Sequence, residues 1–167
     1  MEHNLVEIWL RRDPARWIAG ILSSLFAAAF AMGVAMFIAQ SGGYEIWFPI
    51  KLMGTMVLGP SATEIGQPEG ITSGCLVTAL ICTFWGVVYA HFTGTNSLKA
   101  LLPMGVVWGI FSWIFLWNLF FQSFKPIFAA RIPSGPVFPV CIAYGIGLAS
   151  VAFFDPLFRS KKKQKGK

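Results

Sequence analysis

The chain has 167 residues, of which 56% are hydrophobic and only 12% charged, and it carries a formal net charge of +6. Soluble domains hold about 25% charged residues, and here the apolar residues lie in long blocks, so lipid rather than water is the expected solvent. The positive charge does not point to nucleic acid: Arg11, Arg12 and Arg16 precede the first apolar block, and Arg159, Lys161, Lys162, Lys163, Lys165 and Lys167 follow the last.

Basic residues that flank apolar blocks act first as orientation signals, and anionic lipid headgroups are the natural contact for the tail. Residues 1–16 form a mixed, amphipathic segment with Leu5, Ile8 and Trp9 near one helical face, suited to lying on a membrane surface. Asp13-Pro14 reads as a helix start. The first span is expected over 17–40, longer than the roughly 7–15 residues of a signal-peptide core. Within it Ala27, Ala31, Ala35 and Ala39 recur every four residues, a smooth face for close helix approach.

Residues 41–71 make the longest connection, opened by Ser41-Gly42-Gly43 and punctuated by Pro49, Pro60 and Pro68. The stretch FPIKLMGTMVLGP inside it has about half the length that a spanning helix needs. It reads as an interfacial or re-entrant half-helix over 48–60 on the outer face, with a packed loop outside the membrane as the alternative. Lys51 within it is expected at an interface, where solvation is cheap.

The second span is expected over 72–92. Gly74, Thr78, Cys82, Gly86 and Ala90 form a ridge of small residues along it, and such ridges drive helix association in lipid. The third span, 100–121, has Pro103 in its first turn, where proline costs little. It also carries a Gly105/Gly109 pair and the tryptophans Trp108, Trp113 and Trp117. The fourth span, 136–154, offers Gly145 and Ala149 for packing, and Asp155-Pro156 is expected to end it.

The chain therefore reads as an all-α membrane protein, a bundle of four transmembrane helices. A cytoplasmic segment (1–16) precedes the membrane domain (17–156), and a basic cytoplasmic tail (157–167) follows it. The N-terminal segment, the second-to-third link and the tail hold ten of the thirteen Lys and Arg residues. The positive-inside rule then puts both termini in the cytoplasm, which requires an even number of spans.

Candidate chemistry is sparse. Cys75, Cys82 and Cys141 form no CxxC pair and are odd in number, so they read as free, buried thiols. His91 ends the second span and could carry a proton or bind a metal. The other histidine, His3, lies in the N-terminal segment, so a bis-histidine haem or a metal site lacks convergent ligands. Asn118, followed by Gln122, is the strongly polar residue of the third span and is expected to bond across to a neighbouring helix. Glu45, Glu64 and Glu69 share the first outer connection and could support acid–base work, but they read as a solvated surface. No GxSxG, HExxH or Walker-type motif occurs. No catalytic, cofactor-binding or metal-binding residue is assigned, and no cofactor is expected.

Leu58-Gly59-Pro60 in the first loop, His91, the Gly105/Trp113/Asn118 helix and the proline-rich turn before Tyr144-Gly145 resemble a group of bacterial four-helix inner-membrane proteins. The likeness covers about residues 17–155 and implies a bacterial inner-membrane setting. The leading functional expectation is a non-catalytic accessory subunit that works by association with other membrane-protein subunits or with itself, since its small-residue ridges exceed what four helices need. A small oligomeric transporter or channel is the alternative, and an outer-face enzyme acting on lipid or quinone is the third.

Overall fold

A computed structural model of the protein describes residues 13–64, 68–121 and 134–164. The surface-helix expectation for the first residues, His3, Gln122 and the second outer connection fall outside them. The regular structure among the described residues is helical: α1 (Pro14–Ser41), α2 (Phe48–Leu58), α3 (Pro68–Phe92), α4 (Leu98–Ser112), α5 (Ser134–Leu148) and α6 (Val151–Gln164). Four helical stretches are long and apolar enough to cross a membrane, at Pro14–Ser41, Pro68–Phe92, Leu98–Phe120 and Ser134–Arg159. They match the four expected spans, each starting two to four residues earlier.

Local chemistry sets the boundaries. Asp13 caps α1 by accepting the Arg16 backbone N–H at 3.3 Å, and Pro14 occupies the first turn, where its missing N–H is no loss. The helix stops where the Gly42 N–H folds back onto the carbonyls of Ile38 and Ala39 and Gly43 takes φ 78°, a left-handed geometry that glycine supplies cheaply. Helix α2 opens on Pro49 and ends at Gly59, with φ 73°. Its 11 residues span only ~16 Å at ~1.5 Å each, against a hydrocarbon core of ~30 Å. A half-helix is what the connection holds.

Two expectations need correction, and one feature was not anticipated. Helix α4 starts at Leu98, so Pro103 lies beyond its first turn. The carbonyl this proline leaves unpaired belongs to Lys99, at the polar mouth of the helix, which limits the cost. After Ser112 the helix widens into a π-helical stretch, Trp113–Phe121, a form that is rare and usually much shorter. Finally, Asp155-Pro156 does not end the last helix. The break falls at Ala149-Ser150, where the N–H groups of Ala149, Ser150 and Ala152 pair only three residues back. The helix then runs through Pro156, and Asp155 just before the proline is held by side-chain bonds from Asn96 and Arg159.

Contacts fix the packing. A methyl group on Gly105 would overlap the carbonyl of Gly145, one on Gly145 would overlap that of Gly105, and one on Gly109 would crowd Cys141. Helices α4 and α5 are thus antiparallel and in backbone contact. Gly20 and Ser24 of α1 meet Gly86 and Ala90 of α3 in the same way, and Gly147 of α5 rests on Ala27. Helices α3 and α4 meet instead through aromatic edges, with Trp85 set 5.6 Å from Trp108 and 5.8 Å from Phe111 between ring centres. The half-helix wedges against the start of α3, where Gly74 faces Ile50 and Gly54 faces Gly70. The bundle is zipped backbone-to-backbone near the end that carries Pro14 and Arg159, and α2 joins it at the opposite end.

Candidate functional site

The wedge leaves a chamber. Its volume is about 390 Å³, it is partly open, and its wall is almost entirely apolar. Helix α1 contributes Ala28, Ala31, Ala35 and Ala39, and α2 contributes Phe48 and Leu52. Thr78, Cys82 and Trp85 come from α3, Ser112 and Trp117 from α4 and its π extension, and Cys141 and Tyr144 from α5. Alanines on one side and the Thr78/Cys82 pair on another keep this space open because their side chains are short.

The ridge expected to pack α3 therefore serves three surfaces. Gly74 lies against α2, Thr78 and Cys82 face the chamber, and Gly86 and Ala90 lie against α1. The alanine face of α1 divides likewise: Ala27 is covered by Gly147, whereas Ala31, Ala35 and Ala39 line the void. Gly105, Gly109 and Gly145 all sit in the α4–α5 contact.

The polar atoms of the wall stand out by how they bond. A hydroxyl inside a helix commonly donates to a carbonyl of the preceding turn, and Ser23, Ser24, Thr55, Ser73 and Thr93 all do so. The hydroxyls of Thr78 and Ser112 are buried and have no hydrogen-bond partner among the described residues. Ser112 is only 2% exposed. An unmade hydrogen bond at a buried donor costs about 1–3 kcal/mol. Tyr144, by contrast, is satisfied, donating to the Cys82 carbonyl at 2.7 Å.

At the opposite end of the bundle, side chains expected to face solvent form a buried charged clasp. Arg16 is 5% exposed. Its guanidinium donates to the carbonyls of Ala90, Thr93 and Thr95 and to the Asn96 side chain. Asp155, expected to end the fourth span, is fully buried. Its Oδ2 accepts from Asn96 and Arg159, both at 2.7 Å, and lies 3.5 Å from Arg16. Arg159 also reaches Asp13, closing a ring through the start of α1, the α3–α4 link and α6. Arg16 satisfies the loose carbonyls at the end of α3, where a cation also suits the helix dipole.

Lys51, expected at an interface, is buried as well, at 2% exposure. Its ammonium holds both oxygens of Glu45, at 3.0 and 2.8 Å. The Nδ1 of His91 accepts the Trp17 indole N–H at 3.3 Å, and the ring abuts Phe92. The Asn118 amide donates to the Trp113 carbonyl five residues back in its own π stretch, where a bridge to a neighbouring helix was expected. All three cysteines are free, but Cys75 is exposed on the outer face of α3 while Cys82 and Cys141 line the chamber.

No protein-family model matches the chain, and neither a curated protein nor a solved structure is similar to it.

Chemistry must then be read from the wall alone. Among the described residues, no three His, Cys, Asp or Glu side chains come together as a metal site would need, and no charged side chain lines the chamber. What the space can do is hold something apolar. Being partly open, its 390 Å³ can be reached by lipid or by a small molecule, and the volume falls within the ~300–1,000 Å³ common for ligand sites. Sequence reasoning missed the chamber because it counted small residues as contacts. It missed the clasp because it read Arg16 and Asp155 separately, although opposite charges at the same end of two spans were a usable signal.

Proposed function

We propose that the chain is an integral membrane protein that works by binding, holding an apolar small molecule in the chamber between its helices. The observation that carries this reading is the chamber itself, walled by five helices and of a volume within the ~300–1,000 Å³ common for ligand sites. The membrane we assign is the bacterial inner membrane, with both termini in the cytoplasm and the basic tail on anionic headgroups. The charge count supports this orientation, as ten of thirteen Lys and Arg residues fall on that side. In a cysteine-free background, Ser97→Cys should then resist an impermeant thiol reagent applied outside whole cells, and Ser61→Cys should react.

The binding reading is tested by filling the space. Protein extracted in a mild amphiphile should retain a stoichiometric apolar compound by native mass spectrometry, and Ala35→Phe should lose it while keeping its fold. Equal retention by both proteins, or none by either, would refute it.

A second reading, association with another membrane protein, is favoured by one face of α1. Phe26, Phe30 and Phe37 are exposed there, and Gly33 has open space beside it. The other ridges that motivated this reading lie between the chain's own helices or line the chamber. The same mass measurement decides it, through the presence of a second chain in fixed proportion.

A further inference from the structure

Resting on the binding reading above, the identity of the ligand can be narrowed. We propose that the chamber takes a flat, neutral carbonyl compound of the quinone type, with its oxygens accepting hydrogen bonds from Ser112 and Thr78. Three observations lead there.

First, the two hydroxyls are buried, lack partners among the described residues and line the same space. Elsewhere in this chain Ser23, Ser24, Thr55, Ser73 and Thr93 donate to a carbonyl of the preceding turn. Ser150 and the Trp108 indole are also unpartnered among the described residues but lie outside the chamber; Thr78 and Ser112 are the pair that share one space. A hydroxyl left free in lipid needs an acceptor, and a hydrocarbon tail has none to give. Second, the hydroxyls lie on different helices, α3 and α4, and both fall well inside their spans. A ligand serving both needs two acceptors on an otherwise apolar body, which a quinone has. Third, the wall is aromatic where a flat ring would sit: Trp85, Trp117, Tyr44, Tyr144 and Phe48 all border the chamber. Aromatic faces and edges suit a planar π-system better than a flexible chain. Among the described residues the wall carries no charged side chain, which fits a neutral ligand.

The competing occupant is a phospholipid acyl chain, which fills volume without using either hydroxyl. The experiment uses the full chain in lipid nanodiscs, with a decyl-substituted benzoquinone as probe and quenching of tryptophan fluorescence as readout, since Trp85 and Trp117 border the site. The matched alkylbenzene, which lacks carbonyls, serves as competitor. Wild-type protein should show saturable quenching that the alkylbenzene reverses only at concentrations at least tenfold above the half-saturating quinone concentration. Ser112→Ala and Thr78→Val should each weaken binding about fivefold, the loss of one neutral hydrogen bond, with thermal transitions of the ligand-free protein no lower than wild type.

The outcomes separate the two claims. Absence of saturable quenching, or quenching in Ala35→Phe equal to wild type, overturns the binding reading and this proposal with it. Saturable quenching that Ala35→Phe abolishes, but that Ser112→Ala and Thr78→Val leave untouched, keeps the chamber and overturns the quinone assignment. So does an alkylbenzene that competes as well as the quinone, a comparison that needs no variant.

Discussion

Arg16 is the residue whose loss should be felt most. Arg16→Met keeps the apolar stem but removes every donor of the guanidinium. The carbonyls of Ala90, Thr93 and Thr95 lose their side-chain partner, and Asp155 keeps only Asn96 and Arg159. Removing one partner of a buried ion pair costs about 3–5 kcal/mol. For a chain of this size ~1 kcal/mol moves a melting temperature by roughly 2–4 °C, so the expected drop is about 6–20 °C. The assay is loss of helical circular dichroism on heating in a fixed detergent. Arg16→Lys is the informative companion, because a single ammonium cannot reproduce the fork that reaches three carbonyls. It should recover only part of the loss. Arg159→Met sets the lower bound: this side chain is 44% exposed, and solvent-facing pairs contribute about 0–1 kcal/mol. A melting temperature for Arg16→Met within 2 °C of wild type, or below that of Arg159→Met by no measurable margin, would refute the view that the clasp holds this end together.

Glycine positions should separate cleanly. Gly145→Val, whose side chain would meet the Gly105 carbonyl, should cost about 1–3 kcal/mol or more by overpacking. Gly33→Ala, with open space beside it, should raise stability by about 0.5–1 kcal/mol; thermal melts of the pair check both signs. The Lys51–Glu45 contact should be asymmetric. Glu45→Gln leaves the buried ammonium with neutral acceptors only, the amide oxygen and the Glu64 carbonyl, and should cost about 1–3 kcal/mol, whereas Lys51→Met leaves a carboxylate that can turn to solvent and should be close to neutral. Denaturant or thermal unfolding of the two variants tests that order.

Much of the scaffold was legible because its causes are local. Asp13-Pro14, Gly42-Gly43 and Gly59 mark boundaries through backbone chemistry confined to a few residues, and the shortness of the stretch after Pro49 limits how far α2 can reach. Helix α4 was less legible. Its π stretch has no sequence pattern in WIFLWNLFF, and Asn118 bonds within that widened turn instead of across it. Charge was the other blind spot. Arg16, Lys51 and Asp155 stand near the ends of apolar blocks, where a sequence reading assigns them water. Their partners come from distant segments: Asn96 and Asp155 for Arg16, and a loop glutamate for Lys51. The candidate site depended on a further geometric fact. A small-residue stripe lowers the cost of close approach but does not say whether another helix arrives, and the α2 wedge decides that on α3, one residue at a time.

The burial of Arg16 also bears on how the protein is made. Arg16 lies in α1 and its acidic counterpart Asp155 in α6, so the chain makes the cation well before the carboxylate that holds it. The clasp cannot close until α6 has been made, which separates the insertion of α1 from the locking of the bundle.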